Sequence, residues 1–510
     1  MKTRYYWIWL LLITALLHAQ TTEPVDLQMI TRIKQEGLKN SQVMETLSYL
    51  TDVHGPRLTG SPNFMKAAEW CRNQLSEWGM ANAQVEAWGT FGRGWEVQRY
   101  SAEMLAPQYM NIFAQPKAWT PGTDSVLSGE PLLIDTDEED LSQYEGKLNG
   151  RIVLLGKAED IEKKFEADAS RLSAEDLAEK AQAPEPNARS GWMARAGEWR
   201  ARRAKREKMS KFLVEQGVGA VLEASSIAHG TLRVMSGGSY KTAASNALPT
   251  LVIAWEHYNR IARLLEKEIP VQLEVNIRTR FVEDDSLGYN VIAEIPGVDK
   301  KLKNEVVMLG AHLDSWHGGT GATDNASGSA VMMEAVRILK ALGVQPRRTI
   351  RIALWSGEEQ GLHGSRNYVK NHFGDAKNGE VKPAHANVSA YFNIDNGGGK
   401  IRGIYLQEND AARPVFESYL TPFHDMGATT VSIQRTGSTD HVAFDEQGLP
   451  GFQFIQDPLD YFSRTWHTNM DVYDHVVEGD LMQMSVIVAS IVYHTAMRDE
   501  KIPRKPMPGK

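Results

Sequence analysis

Histidines and carboxylates stand where apolar runs of this chain stop. His312 and Asp314 follow the run from Glu305 to Gly310, Glu358 and Glu359 follow Thr349 to Trp355, and Asp395 closes Val388 to Ile394. Asp324 comes after the glycine-rich stretch Gly318-Gly319-Thr320-Gly321, just before a helical pattern, and His467 lies in a loop beyond a later run, Gly451 to Ile455. Imidazole nitrogens and carboxylate oxygens without a thiolate suit zinc or a similar divalent ion. Two adjacent ions need a shared anion, and one carboxylate can bridge them. Taken singly, Asp324 reads as a helix N-cap and a lone histidine as a packed residue. Their convergence at strand ends favours the metal reading. If Glu358 and Glu359 are extended, their side chains oppose each other. One can then bind metal while its neighbour takes a proton from the attacking water. The glycines before Asp324 do not follow the first strand of a nucleotide unit, so they do not mark a dinucleotide site. They let the backbone pass close to the metals.

These residues need a scaffold that gathers strand ends. From 286 onward the pattern alternates strand, loop and helix, with helices at Ser327 to Leu342 and Gly479 to Met497. That alternation predicts an α/β fold, with helices on both faces of a mainly parallel sheet. In such sheets, ligands bind beyond the carboxyl ends of the strands. Residues 27 to 50 read as helix, followed by the turn-rich loop His54 to Pro62 and a second helix from Phe64 to Trp78, with Gly79 as its C-cap. From 118 to 283 the character changes to short β-like runs: Pro131 to Ile134, Arg151 to Leu155, Ala220 to Leu222, Thr250 to Ile253 and Val271 to Ile277. Within it, Ile161 to Lys211 is charged and carries Arg195, Arg200, Arg202, Arg203, Lys205, Arg206, Lys208 and Lys211. Glu198 and Glu207 interleave, so a solvated helix face is favoured over a polyanion site.

The chain has 510 residues, enough for two domains and an export segment. A net charge of -8 argues against nucleic-acid binding. Lys2 and Arg4 precede an apolar run from Trp7 to Leu17, and Ala19 offers a small residue for cleavage. This is the pattern of a signal peptide over 1–19, too short for a comfortable membrane span. It predicts a secreted or periplasmic protein with no stable membrane insertion after the signal is removed. Cys71 is the only cysteine, so no intrachain disulfide forms, and its amphipathic context marks it as packed.

Several stretches are familiar as words. Gly310-Ala311-His312-Leu313-Asp314-Ser315-Trp316, Gly321-Ala322-Thr323-Asp324-Asn325-Ala326-Ser327-Gly328 and Leu354-Trp355-Ser356-Gly357-Glu358-Glu359-Gln360-Gly361 resemble the co-catalytic zinc aminopeptidases. The likeness extends to Gly55-Pro56-Arg57-Leu58-Thr59-Gly60-Ser61 and to Leu342 through Thr349. The wording Asn393-Ile394-Asp395-Asn396-Gly397 is closer to the bacterial aminopeptidases than to the relatives that the other motifs resemble. The resemblance implies two Zn2+ per chain. His312 and Asp395 would complete one site, Glu359 and His467 the other, with Asp324 bridging. Glu358 would be the general base, and Asp314 would orient His312. Asp440 and His441, in Gly437-Ser438-Thr439-Asp440-His441, resemble a family segment near the substrate.

The implied organisation is a signal peptide at 1–19, catalytic parts at 20–117 and 284–510, and an inserted protease-associated β-rich domain at 118–283. The implied substrate is a peptide or dipeptide, cleaved by an aminopeptidase or a dipeptidase, and a homodimer is compatible with the family. Two other readings keep the fold: a single-zinc enzyme like the glutaminyl cyclases, and a non-catalytic ectodomain like that of transferrin receptors. The full ligand set and the intact base argue against both.

Overall fold

The computed structural model describes residues 23–137, 140–183, 204–241 and 247–505. The signal segment 1–19 and the charged residues Arg195, Glu198, Arg200, Arg202 and Arg203 lie outside them.

The apolar runs assemble into one eight-stranded sheet. Its spatial order is Ala81–Thr90, Leu287–Ile295, Thr349–Trp355, Val306–His312, Val388–Asn393, Gly451–Gln456, Ile401–Tyr405 and Thr430–Ser432. The central strands, from Thr349–Trp355 to Gly451–Gln456, are parallel; the two on the Ala81 side and the Ile401–Tyr405 strand pair antiparallel to their inner neighbours. The sheet is therefore mixed, with a parallel centre. Alternate residues face opposite cores. Val307, Leu309, Ile350, Ile352 and Leu354 pack with the helices Pro62–Glu77, Ser327–Ala341 and Glu478–Met497. Val306, Met308, Ala353 and Trp355 pack on the other side with Tyr368 and Phe373 of helix His363–Phe373. Strands buried on both faces read as unbroken apolar runs, which is why they were legible in sequence. Cys71 is buried within the first core.

The helix expected over 27 to 50 is broken. It runs Leu27–Lys39, restarts at Val43–Ser48 and ends in a wide turn, Tyr49–Val53. The break has a tertiary cause. The buried pair Glu334 and Arg337 captures the Gln42 N–H (3.2 Å) and the Asn40 carbonyl (3.1 Å), groups that a continuous helix would use internally. Ser61 caps helix Pro62–Glu77, its hydroxyl accepting from the Phe64 N–H at 3.2 Å.

Two further sheets form a separate lobe with its own core. One holds Met110–Asn111, Gly94–Ala106, Gln272–Val282 and Leu127–Gly129. The other holds Ala114–Pro116, Thr250–Ile253, Ala220–Ala224, Ile152–Leu155 and Leu132–Ile134. A core around Leu154, Leu222, Leu273 and Ile277 joins them. The charged stretch after 161 contains helices Ala174–Ala181 and 204–215. Part of it is a strap across the main body. Arg171 reaches the buried Asp457 and Asp480 at 2.8 and 2.7 Å, and the Ser170 N–H donates to the Leu459 carbonyl at 3.0 Å. Among the described residues, no helix is long and apolar enough to cross a membrane.

Candidate metal centre

The parallel strands deliver their last residues to one point. His312 ends the Val306–His312 strand, and Asp395 lies two residues beyond Val388–Asn393. Asp324 sits in the turn before helix Ser327–Ala341, where its backbone leaves helical geometry (φ −130°, ψ 82°). His312 Nε2 lies 3.3 Å from Asp324 Oδ1 and 3.6 Å from Asp395 Oδ1. His467 Nε2 lies 3.2 Å from Asp324 Oδ2 and 3.0 Å from Glu359 Oε2. Two groups thus form: His312, Asp324 and Asp395, and Asp324, Glu359 and His467. Within each, the ligand-capable atoms lie within 4.8 Å of one another, and Asp324 belongs to both. Asp324 Oδ2 and Glu359 Oε1 are shielded from solvent and accept no hydrogen bond. Orphaned carboxylate oxygens facing imidazoles are costly without a cation, so this donor set fits divalent metal.

The surrounding field agrees. Burial pushes the Glu358 carboxyl well above the usual carboxylate range, with the charges of Asp395, Asp440 and Glu359 adding and His312 opposing. Burial and the charge of Asp324 raise Glu359 to about 7, with His467 opposing. Burial works against the cation of His467, but Glu359 and Asp324 raise it to about 10. Carboxylates crowded in this way compete for any positive charge.

Glu358 and Glu359 are not extended. They occupy a turn, because Gly357 takes φ 65° immediately after the strand. The division between them survives by another route. Glu359 reaches His467, while Glu358 feels His312, Asp395 and Asp440. Asp314 fixes this turn: its carboxylate accepts from the Glu358 and Glu359 N–H groups (3.3 and 3.4 Å) and from the Thr59 hydroxyl (2.9 Å). Its carboxylate lies 3.7 Å from His312 Nδ1, farther than its own carbonyl at 2.9 Å. The carbonyl is thus the nearer acceptor for Nδ1–H, which leaves Nε2 free to ligate.

Asp440 and His441 are fully buried. His441 Nε2 is 3.1 Å from the Thr436 carbonyl, and burial lowers the ring to about 4. Neither Asp440 oxygen accepts a hydrogen bond, and burial raises that carboxyl to about 7, with Asp314 and Asp395 adding and His312 opposing. Neither side chain is open to solvent, and the charge of Asp440 acts on Glu358.

Two residues escaped the sequence reading. Arg57, fully buried, donates to the carbonyls of Leu313 (2.7 Å), Leu50 (2.7 Å), Thr320 (2.8 Å) and Gly321 (2.8 Å). It ties the loop after His312 to the loop before Asp324. Asp471 accepts from the Thr323 N–H (2.6 Å) and the Asp324 N–H (3.2 Å). Arg57 stood in a quoted motif, and Asp471 follows His467 at short spacing, but neither pairing is visible without the fold.

Comparison with known proteins fits this arrangement. Residues 290–492 match the profile of peptidase family M28. Carboxypeptidase Q of Bos taurus is 26% identical over 474 residues, covering 92% of this chain and 88% of that protein. Aminopeptidase YwaD of Bacillus subtilis (strain 168) is 35% identical over 212 residues, covering 40% of this chain and 44% of that protein. Among solved structures, a peptidase M28 precursor from Shewanella amazonensis SB2B superposes with a TM-score of 0.67 at 23% identity, covering 95% of this chain and 99% of that one. BSAP, a zinc aminopeptidase from Bacillus subtilis, superposes at 0.57 with 19% identity, covering 90% and 96%. Residues 290–492 thus carry the likeness to peptidase family M28, the resemblance to carboxypeptidase Q runs along most of the chain, and the chain is a metallopeptidase.

Proposed function

We propose that this chain is an exported two-zinc exopeptidase that removes residues from a chain end or splits dipeptides. The observation that carries the reading is Asp324, the one carboxylate shared by two three-residue ligand groups. His312, Asp324 and Asp395 would hold one ion, and Asp324, Glu359 and His467 the other; two complete groups favour two ions over one. Bound zinc would supply Lewis acidity toward water and toward the scissile carbonyl. Glu358, buried beside the two ligand groups, takes the proton of the attacking water and passes it to the leaving amine. Asp314 keeps the Glu358–Glu359 turn in register with His312.

Charge supports an exopeptidase. Asp324, Glu359 and Asp395 offset most of the charge of two divalent ions, and Glu358 and Asp440 add further negative potential. A free α-amino group is attracted to such a pocket, whereas a mid-chain amide is not. The lobe also stands over the site. Phe91 stacks on Tyr240 at 4.5 Å, the Tyr240 hydroxyl lies 3.0 Å from His363 Nε2, and Trp119 meets Trp316 edge-on at 6.0 Å. We assign this lobe, whose sheets begin at Gly94 and end at Val282, to the inserted protease-associated domain. Export rests on the charged and apolar pattern of Lys2 to Ala19.

The test is a peptide with both ends blocked, compared with its free-amine and free-carboxyl forms, with and without chelator. The reading expects chelator-sensitive cleavage that depends on a free end. Rapid internal cleavage of the doubly blocked peptide would overturn it.

A further inference from the structure

The two histidines of the centre differ in what stands behind their rings. Behind His312 is its own loop, the Asp314 carbonyl 2.9 Å from Nδ1. Behind His467 is the lobe: Nδ1 lies 3.1 Å from Sδ of Met235, 232 residues earlier in the chain. His467 Nε2 points the other way, to Asp324 and Glu359 at 3.2 and 3.0 Å. For Nε2 to ligate metal, the ring hydrogen must sit on Nδ1, and Met235 sulfur is then its acceptor.

A thioether is a weak acceptor, but it does not act alone. The Val234 N–H donates to the His467 carbonyl at 2.8 Å. Leu232 and Asn469 pair in both directions, Leu232 N–H to Asn469 Oδ1 at 2.7 Å and Asn469 N–H to the Leu232 carbonyl at 3.0 Å. Arg233 and Thr468 form an antiparallel bridge between them, and the Arg233 guanidinium lies 5.0 Å above the Trp466 ring. The loop therefore meets the lobe as a short piece of antiparallel pairing, with His467 at one end. His467 itself takes φ 58°, a left-handed conformation that side-chain-bearing residues disfavour. Contacts from outside the loop must hold it there.

We propose that Met235 is a positioning residue for His467, and that the lobe segment 232–235 sets how firmly the Asp324–Glu359–His467 group holds its ion. The proposal rests on the two-zinc reading above. It makes the two ions unequal: one is held only by loops of the main sheet, the other depends on contact between lobe and body. Lobe displacement would then loosen one ion and spare its neighbour.

The test uses the full-length mature protein loaded with zinc. Met235 is 40% exposed, so Met235→Leu keeps shape and removes the acceptor with little risk to folding. Asn469→Ala removes the acceptor for Leu232 N–H, and Asn469→Asp keeps it. Zinc release to a chelator is followed over time. Met235→Leu and Asn469→Ala should release one ion about 10-fold faster, the usual scale for loss of an outer hydrogen-bond partner, with the second ion at the parent rate and Asn469→Asp close to parent. In the cobalt-substituted protein, the shifted exchangeable imidazole N–H signal of His467 should broaden in Met235→Leu while that of His312 stays sharp. Parent-like release of both ions in Met235→Leu and Asn469→Ala overturns the proposal, as does equal acceleration of both. A parent protein that holds one ion sinks the two-zinc reading itself, which zinc counting reveals before any variant is compared.

Discussion

Replacing Arg57 should cost both stability and metal. Its guanidinium is buried and serves four main-chain carbonyls, at Leu50, Leu313, Thr320 and Gly321, all at 2.7–2.8 Å. Arg57→Met keeps length and apolar bulk but takes this donor from all four oxygens, of which Gly321 O keeps the Ala326 N–H at 3.0 Å. A buried acceptor stripped of its partner costs about 1–3 kcal/mol. If water re-satisfies one of the other three, the remaining two set a loss of about 4 kcal/mol. Arg57→Lys keeps a charge but not the planar fork, and should lose about half as much, roughly 2 kcal/mol. Because the Leu313 loop follows His312 and the Gly321 loop precedes Asp324, zinc content should fall in the same order, methionine below lysine below parent. The assay is the denaturant midpoint of chelator-treated protein, paired with elemental analysis of zinc-loaded protein. If Arg57→Met lies within about 1 kcal/mol of the parent and keeps its full zinc content, Arg57 is not the tie between these loops.

Other substitutions separate the roles in the centre. Glu358→Gln should lower kcat by about 10²–10⁴-fold with zinc content intact, measured by steady-state hydrolysis and elemental analysis. Glu359→Gln should instead weaken one ion, so equal metal loss in the two variants would contradict the division. Asp324→Ala should lose most of both ions, read by zinc counting after dialysis. Acid should destabilise the fold through two buried neutral histidines, His317 and His441, both held down to about 4 by burial. A base with a depressed folded pKa contributes stability above its unfolded value near 6.5, and that stability is lost as pH falls toward 4. Each such group is worth on the order of 3 kcal/mol across that window. His317→Gln should therefore flatten the fall of the denaturation midpoint between those limits, and an unchanged slope would refute the assignment.

Much of the centre was legible because buried parallel strands leave a plain trace. Thr349–Trp355 and Thr250–Ile253 match the expected runs, and His312 and Asp395 fall at strand ends as the α/β pattern requires. Strands with a solvated face left less trace. Ala81–Thr90 and Gly94–Ala106 alternate polar and apolar residues and carry glycine, so neither stood out as a run. The break after Lys39 carries a weak local signal, Lys39-Asn40-Ser41, that the reading passed over, and Glu334 and Arg337 on a distant helix fix it. The turn at Glu358 and Glu359 was hidden because one glycine, Gly357, changes the chain direction where the apolar pattern predicts extension. The burial of Asp440 and His441 could not be foreseen from a loop-like sequence. Arg57 and Asp471 act through main-chain groups far away in sequence, and no spacing rule encodes such partners.

The central claim is that Asp324 joins two ligand groups into one two-ion centre. The most direct measurement is zinc per chain in dialysed, fully active protein, followed by reactivation of chelator-treated protein with measured zinc additions. The account predicts two ions per chain, with full activity restored only at the second equivalent. Full activity at one equivalent, or in protein holding no zinc, would contradict it.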